Sequence, residues 1–182
     1  VTMDDYHRIL IAIYHQSKSS PLTFALAATA CQNTHWEIQS YLLKHADEEK
    51  MHWQWALSDL EKTGYRGIDP RKSFPTPITS AYIAYNYFVS TYMPASRLGI
   101  AMMLESLGGN YGKKIAQTLA KTLSLKPDQL MFAFGHGDTD VEHSAEILQV
   151  LDRAGLSESD WAFMAHAAET AGYLYRQMYE GF

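Results

Sequence analysis

The chain has 182 residues, near the usual size of one domain, and 47% hydrophobic residues supply enough apolar surface for a single large core over 1–182. Its net charge of −5, carried without Lys/Arg-rich runs, excludes a nucleic-acid footprint, and the lone Cys31 excludes an intrachain disulfide framework and fits a reducing compartment. No apolar run reaches the roughly 18 residues of a membrane span, and Asp4, Asp5, His7 and Arg8 occupy the place of a signal-peptide core, so a cytoplasmic protein is expected.

Asp4 to Ser19 reads as a first helix, with Tyr6, Ile9, Leu10, Ile13 and Tyr14 at spacings of three and four. Because the chain opens at Val1 with helix almost at once, it is expected to be a piece of something longer. Ser20-Pro21 predicts a fresh start, serine as N-cap and proline at the first helical position, for a segment from Leu22 to Cys31. A turn follows at Gln32-Asn33-Thr34. A long helix is predicted from His35 to about Thr63, its Trp36, Tyr41, Leu42, Trp53, Ala56, Leu57 and Leu60 mostly core. Gly64 to Pro77 is loop.

Thr79 to Tyr92 predicts a helix with aromatics on more than one face, and hence a buried one. Ala95 to Leu107 is the next helix, stopped by Gly108-Gly109; Tyr111 to Leu123 follows, and Pro127 opens a short helix to Phe134. A further helix ends at Gly155. Ser157 and Asp160 form a capping-box pattern for a last helix reaching about Tyr179. No segment has a β-strand pattern.

Two stretches carry chemistry. His45, Glu49 and His52 stand as H-x-x-x-E-x-x-H, and His136, Asp140 and His143 as H-x-x-x-D-x-x-H. At about 100° per residue, positions i, i+4 and i+7 lie within roughly 60° of one another, so each helix would present two imidazoles and a carboxylate on one face. Gly135 and Gly137 flank His136 and could delay that helix to Asp138 or Thr139, with His136 reaching the site from a turn. Glu105 is the only acid in an otherwise apolar helix. Three or four imidazoles with two or three carboxylates form a mixed N/O site, too poor in thiolate for structural zinc and too rich in nitrogen for calcium or magnesium. Iron or manganese fits best. Seven candidate ligands exceed what one ion needs, whereas two ions sharing carboxylates in a helical bundle use that number, and Glu-x-x-His at Glu49 and His52 is the pair that di-iron bundles place on a helix.

The order Glu49-x-x-His52, then Glu105 some fifty residues on, then His136-x-x-x-Asp140-x-x-His143, resembles the heme-oxygenase-like di-iron oxidases, a family of iron-containing redox enzymes related in fold to thiaminase II and pyrroloquinoline-quinone synthase. The resemblance covers nearly the full chain. It implies an all-α, heme-oxygenase-like bundle of about seven helices with those six residues as ligands of two Fe ions, Mn or mixed Fe/Mn being alternatives. It also implies O2 and a small organic molecule as substrates; charge and hydropathy leave no nucleic-acid or membrane partner expected, and a homodimer is left open. Many relatives add a Glu from the first helix, where Gln16 stands here. His45, in the place where another branch carries its extra Glu, is the expected substitute, with Glu48, about 100° off that face, as its competitor.

Three other readings are weighed against the oxidase. A heme-binding heme oxygenase would use His7 or His15 as axial ligand but leaves both clusters unexplained. A non-catalytic metal-binding member of the fold would hold at most one metal and consume no oxygen. Thiaminase-type chemistry would need Cys31 as nucleophile, and no activating base adjoins it.

Overall fold

Helix α1 (Met3–Ala30) starts on a reciprocal cap: Thr2 Oγ1 accepts the Asp5 N–H at 3.2 Å, and Asp5 Oδ2 accepts the Thr2 N–H at 2.7 Å. In this computed structural model, residues 1–32 and 34–180 are described, with the backbone alone at 138; Asn33 of the expected turn lies outside the described residues. The predicted break at Ser20-Pro21 does not occur, and α1 runs through Pro21. Proline removes the one N–H that would reach the Ser17 carbonyl, a single bond of the ladder, and α1 is held across it by packing on α2, α3 and α4.

The predicted 35–63 helix is two helices, α2 (Trp36–Glu49) and α3 (Trp53–Lys62). Between them the backbone winds more tightly, with His52 N–H on the Glu49 carbonyl (3.2 Å) and Trp55 N–H on that of His52 (3.0 Å), three residues back rather than four. The indole of Trp53 also donates to the Lys50 carbonyl at 3.0 Å. Glu49 and His52 therefore flank a break rather than sharing a regular helix. Trp36, expected in the core, is 66% exposed.

Helix α4 (Pro77–Tyr92) begins two residues before the prediction, with Thr76 as cap and Pro77 in the first turn. Its aromatic residues do not make it buried all round: Tyr82 is interior, but Phe88 and Tyr92 face outward. Helix α5 (Arg97–Leu123) passes through Gly108 and Gly109, where a stop was expected, and α6 (Met131–Arg153) passes through Gly135 and Gly137, so His136 lies within a helix. These glycines serve packing instead. A Cβ at Gly112 would lie 3.1 Å from the Ala133 carbonyl oxygen and 3.2 Å from Gly137 Cα, and one at Gly137 would lie 3.0 Å from the Lys113 nitrogen. The α5 and α6 backbones approach so closely that side chains have no room between them. Helix α7 (Glu158–Tyr179) starts on the predicted capping box of Ser157 and Asp160.

Among the described residues there are seven α-helices and no strand, as expected for a heme-oxygenase-like bundle. Helix α1 packs on α2, α3 and α4, α5 on α6 and α7, and α4 on α7. Phe24, Ile38, Leu42, Leu98, Ile147 and Met164, from five helices, close the core on one side of the site.

Candidate metal centre

Three elements bring the two clusters together. Helix α2 supplies His45 and Glu49 and the break after it His52; α5 supplies Glu105; α6 supplies His136, Asp140 and His143. The start of α6 is set from a distance: Leu130 at its N-cap offers no side-chain bond, and the buried carboxylate of Asp59 on α3 accepts the Met131 N–H at 2.9 Å and the Phe132 N–H at 3.0 Å. A carboxylate there also suits the positive end of the helix dipole.

Six of the seven predicted ligands fall into two overlapping groups, each with one ligand atom per residue within 4.8 Å of the others. The first is His45, Glu49, Glu105 and His143, and the second is Glu49, His52 and His136. Glu49 belongs to both. His45 Nε2 stands 3.1 Å from Glu105 Oε1, and His52 Nδ1 2.8 Å from Glu49 Oε2, yet neither nitrogen makes a hydrogen bond; Glu49 Oε1 is likewise buried without a partner. Close approach without hydrogen-bond alignment is what donors show when they point at a common third position rather than at each other. An ion bonded at about 2.1 Å holds its donors at most about 4.2 Å apart, so these groups need only small adjustments to take one. Orphaned polar atoms in a buried cluster are costly unless something else binds them.

The imidazoles are aimed by what lies behind them. His136 donates from Nδ1 to the Phe132 carbonyl at 2.9 Å, leaving Nε2 toward Glu49 at 3.8 Å. Tyr41 meets His45 Nδ1 at 3.4 Å, and His52 stacks on Trp55 with ring centroids 4.1 Å apart. Supports of this kind orient a ligand and set which nitrogen is free. Tyr41, one turn before His45, and Trp55, three residues after His52, have spacings that could have revealed them; Asp59, 72 residues from its partner Met131, has none.

Asp140, the seventh candidate, has no atom in either group. It is buried against α5, where a Cβ at Gly108 would collide with its Oδ2, and Oδ1 accepts a bond from the Thr139 hydroxyl at 3.2 Å. Burial and the neighbouring Glu105 push its carboxyl up to about 8. For His143 the order reverses: the Glu105 carboxylate 3.0 Å from its Nδ1 raises the imidazole to about 9 against the opposing effect of burial. Burial drives Glu49 and Glu105 upward, but their imidazole neighbours, His136 and His52 for Glu49 and His143 and His45 for Glu105, outweigh it and hold both below the usual range. Burial likewise lowers His136, and Glu49 and Asp140 more than reverse it. Protons thus supply the positive charge that this set of carboxylates requires.

Glu48 is half-exposed, 3.4 Å from Lys44 and 3.5 Å from His143 Nε2. Gln16 is buried on α1, its amide toward the Ser17 hydroxyl at 3.5 Å. His7 and His15 are engaged by Thr63 at 3.0 Å and Ser73 at 3.3 Å. Cys31 is fully buried, and burial pushes its thiol up to about 11, the opposite of an activated nucleophile.

Compared with known protein families, residues 9–174 match the one described as iron-containing redox enzyme. The chain belongs to that family of iron-containing redox enzymes. A crystal structure of a domain of unknown function with a heme oxygenase-like fold, from Shewanella denitrificans OS217, superposes with a TM-score of 0.90 at 26% identity, covering 97% of this chain and 76% of that one. Comparison with curated proteins gives no match. As a member of the iron-containing redox enzymes, the chain has donors that fit the metal: imidazole and carboxylate without thiolate. No helix among its described residues is long and apolar enough to cross a membrane.

Proposed function

We propose that this protein is a non-heme di-iron oxidase that uses O2 to oxidise a small organic substrate. The observation that carries the reading is the double membership of Glu49: one buried carboxylate, with one oxygen unpartnered, is common to a four-residue and a three-residue ligand group. A carboxylate placed between two mixed N/O sets is the arrangement by which helical bundles hold a metal pair. His45, Glu105 and His143 would complete one position, and His52 and His136 the other, with Asp140 beside it.

Ferrous iron held there would pass electrons to dioxygen, which in turn would take electrons from the substrate. The rest falls to the chain's own residues. The Phe132 carbonyl and the Tyr41 hydroxyl fix the orientation of His136 and His45, and the stacked Trp55 holds the ring of His52 in place. Burial of His45, Glu105 and Asp140 keeps water from the donors and strengthens every charge interaction among them.

Anaerobic addition of Fe(II), followed by iron counting and exposure to O2, tests the reading. Two irons per chain and oxygen uptake that depends on them are expected; one iron or fewer, or full loading without oxygen uptake, would overturn it.

A further inference from the structure

The outer face of α5 differs in charge from the rest of the surface. From Ser106 to Pro127 the chain carries four lysines, Lys113, Lys114, Lys121 and Lys126, and no aspartate or glutamate, in a protein whose net charge is −5. Elsewhere surface cations stand beside acids, Lys44 with Glu146, Lys50 with Asp47 and Arg71 with Asp69. Among the described residues Lys114 and Lys121 enter no ion pair.

These lysines share a face with apolar groups. Leu107, Tyr111, Lys114, Ile115, Thr118 and Lys121 follow one another at steps of three and four, which return to the same side of a helix, and all six are exposed. Tyr111 and Ile115 are 53% and 52% exposed, and the Lys114 ammonium lies over the Tyr111 ring, 5.5 Å from its centroid. An apolar strip containing tyrosine, edged by charges of one sign, has the make-up of a surface for transient partners. The same stretch of α5 backs onto the candidate centre. A Cβ at Gly112 would lie 3.2 Å from Gly137 Cα, and one at Gly137 would lie 2.8 Å from Lys113 Cγ, so α5 touches α6 at the residue next to His136. The outer face is therefore one helix thickness, roughly 10 Å, from that ligand.

We propose that this face of α5 docks an acidic electron-transfer protein, one carrying a one-electron iron–sulfur or flavin centre, which returns the metal pair to its ferrous state. Charge selects the partner: lysines without acids attract a surface of carboxylates, whereas a second copy of this chain on the same face would set lysine against lysine. The electron-transfer role rests on the oxidase reading above; the docking surface itself does not. Two electrons leave the pair for dioxygen in each turnover, and two encounters return them. Each encounter oxidises the donor by one electron and reduces one ferric ion to ferrous, with no bond made or broken.

The metal-free protein tests docking by itself. Isotope-labelled for NMR, it is titrated with an acidic ferredoxin, and with basic cytochrome c as the control of inverse charge. The amides of Tyr111, Lys114, Ile115 and Thr118 should shift or broaden with ferredoxin and not with cytochrome c, and binding should weaken as salt is raised to about 0.2 M. The double variant Lys114→Glu/Lys121→Glu should bind about tenfold or more weakly, with Fe(II) loading unchanged. The ferric-loaded protein tests the electron: reduced ferredoxin should reduce it without air, about tenfold more slowly in the double variant, while a neutral hydroquinone reduces both alike. No response at this face, or equal affinity in the double variant, would overturn the docking surface; docking without reduction of the iron would overturn the electron-transfer role. Iron-dependent oxygen uptake without docking would remove this proposal and leave the oxidase reading standing. Docking by a protein that takes up no iron would leave the docking surface and remove the oxidase reading together with the electron-transfer role.

Discussion

Asp59 on α3 holds Met131 at the start of α6: its Oδ1 accepts the Met131 N–H at 2.9 Å, and Oδ2 takes the next N–H, that of Phe132, at 3.0 Å. Since α6 carries His136, Asp140 and His143, this contact sets the rotation and height of half the candidate centre. Removing it with Asp59→Ala leaves two partly buried N–H groups without their acceptors and should cost about 1–2 kcal/mol. Urea denaturation checks the magnitude. Iron binding should weaken with it, most at His136, which lies closest to the released end.

The glycines of the α5–α6 contact should behave differently from one another. Gly112→Ala sets a Cβ 3.1 Å from a backbone carbonyl oxygen, which cannot step aside, and should destabilise the protein by about 1–3 kcal/mol. Gly108→Ala meets the end of the Asp140 side chain, which can turn, so stability should change little while Asp140 leaves its place. Gly172→Ala, with nothing within 4 Å, should stabilise by about 0.5–1 kcal/mol through helix propensity. Thermal melts of the three variants give the order directly, and equal destabilisation in all three would contradict it.

Metal counting distinguishes the roles of the acids and imidazoles. Glu49→Ala should lose both ions, because each group depends on it, whereas His136→Ala should leave the other position filled. His143→Ala and Glu105→Ala should each empty the position built around His45. Glu48→Ala should load nearly as the wild type does, since that half-exposed side chain lies between Lys44 and the edge of His143 and belongs to neither ligand group.

The pH dependence of the metal-free protein follows from two groups. His143 is raised from 6.5 to about 9, so the stability it contributes is complete below pH 6.5 and is lost as pH rises through 9. Asp140, raised from 3.8 to about 8, binds its proton more tightly folded than unfolded, so stability also falls between those values as pH rises. Metal binds the deprotonated forms and should reverse the trend. The rise in melting temperature on adding Fe(II) anaerobically should therefore grow from pH 6 to pH 9; a constant rise would show that these protons are not the ones displaced.

The helical character of the chain, the last helix with its Ser157–Asp160 cap, and the spacing of His45, Glu49, His52, Glu105, His136 and His143 were all readable along the sequence, because helix periodicity and capping act over only a few residues. What glycine and proline do was not readable in the same way. Read locally, Gly108, Gly109 and Gly137 are stop or delay signals, and Pro21 is a start. Yet a neighbouring backbone at contact distance rewards a missing Cβ inside a helix, and packing on three neighbouring helices carries α1 past the one bond that proline removes. The tightened turn between Glu49 and His52, the exposure of Trp36 and the Asp59 cap on α6 were decided by tertiary packing alone. Each depends on which groups meet across tens of residues of chain, and no local pattern encodes that meeting.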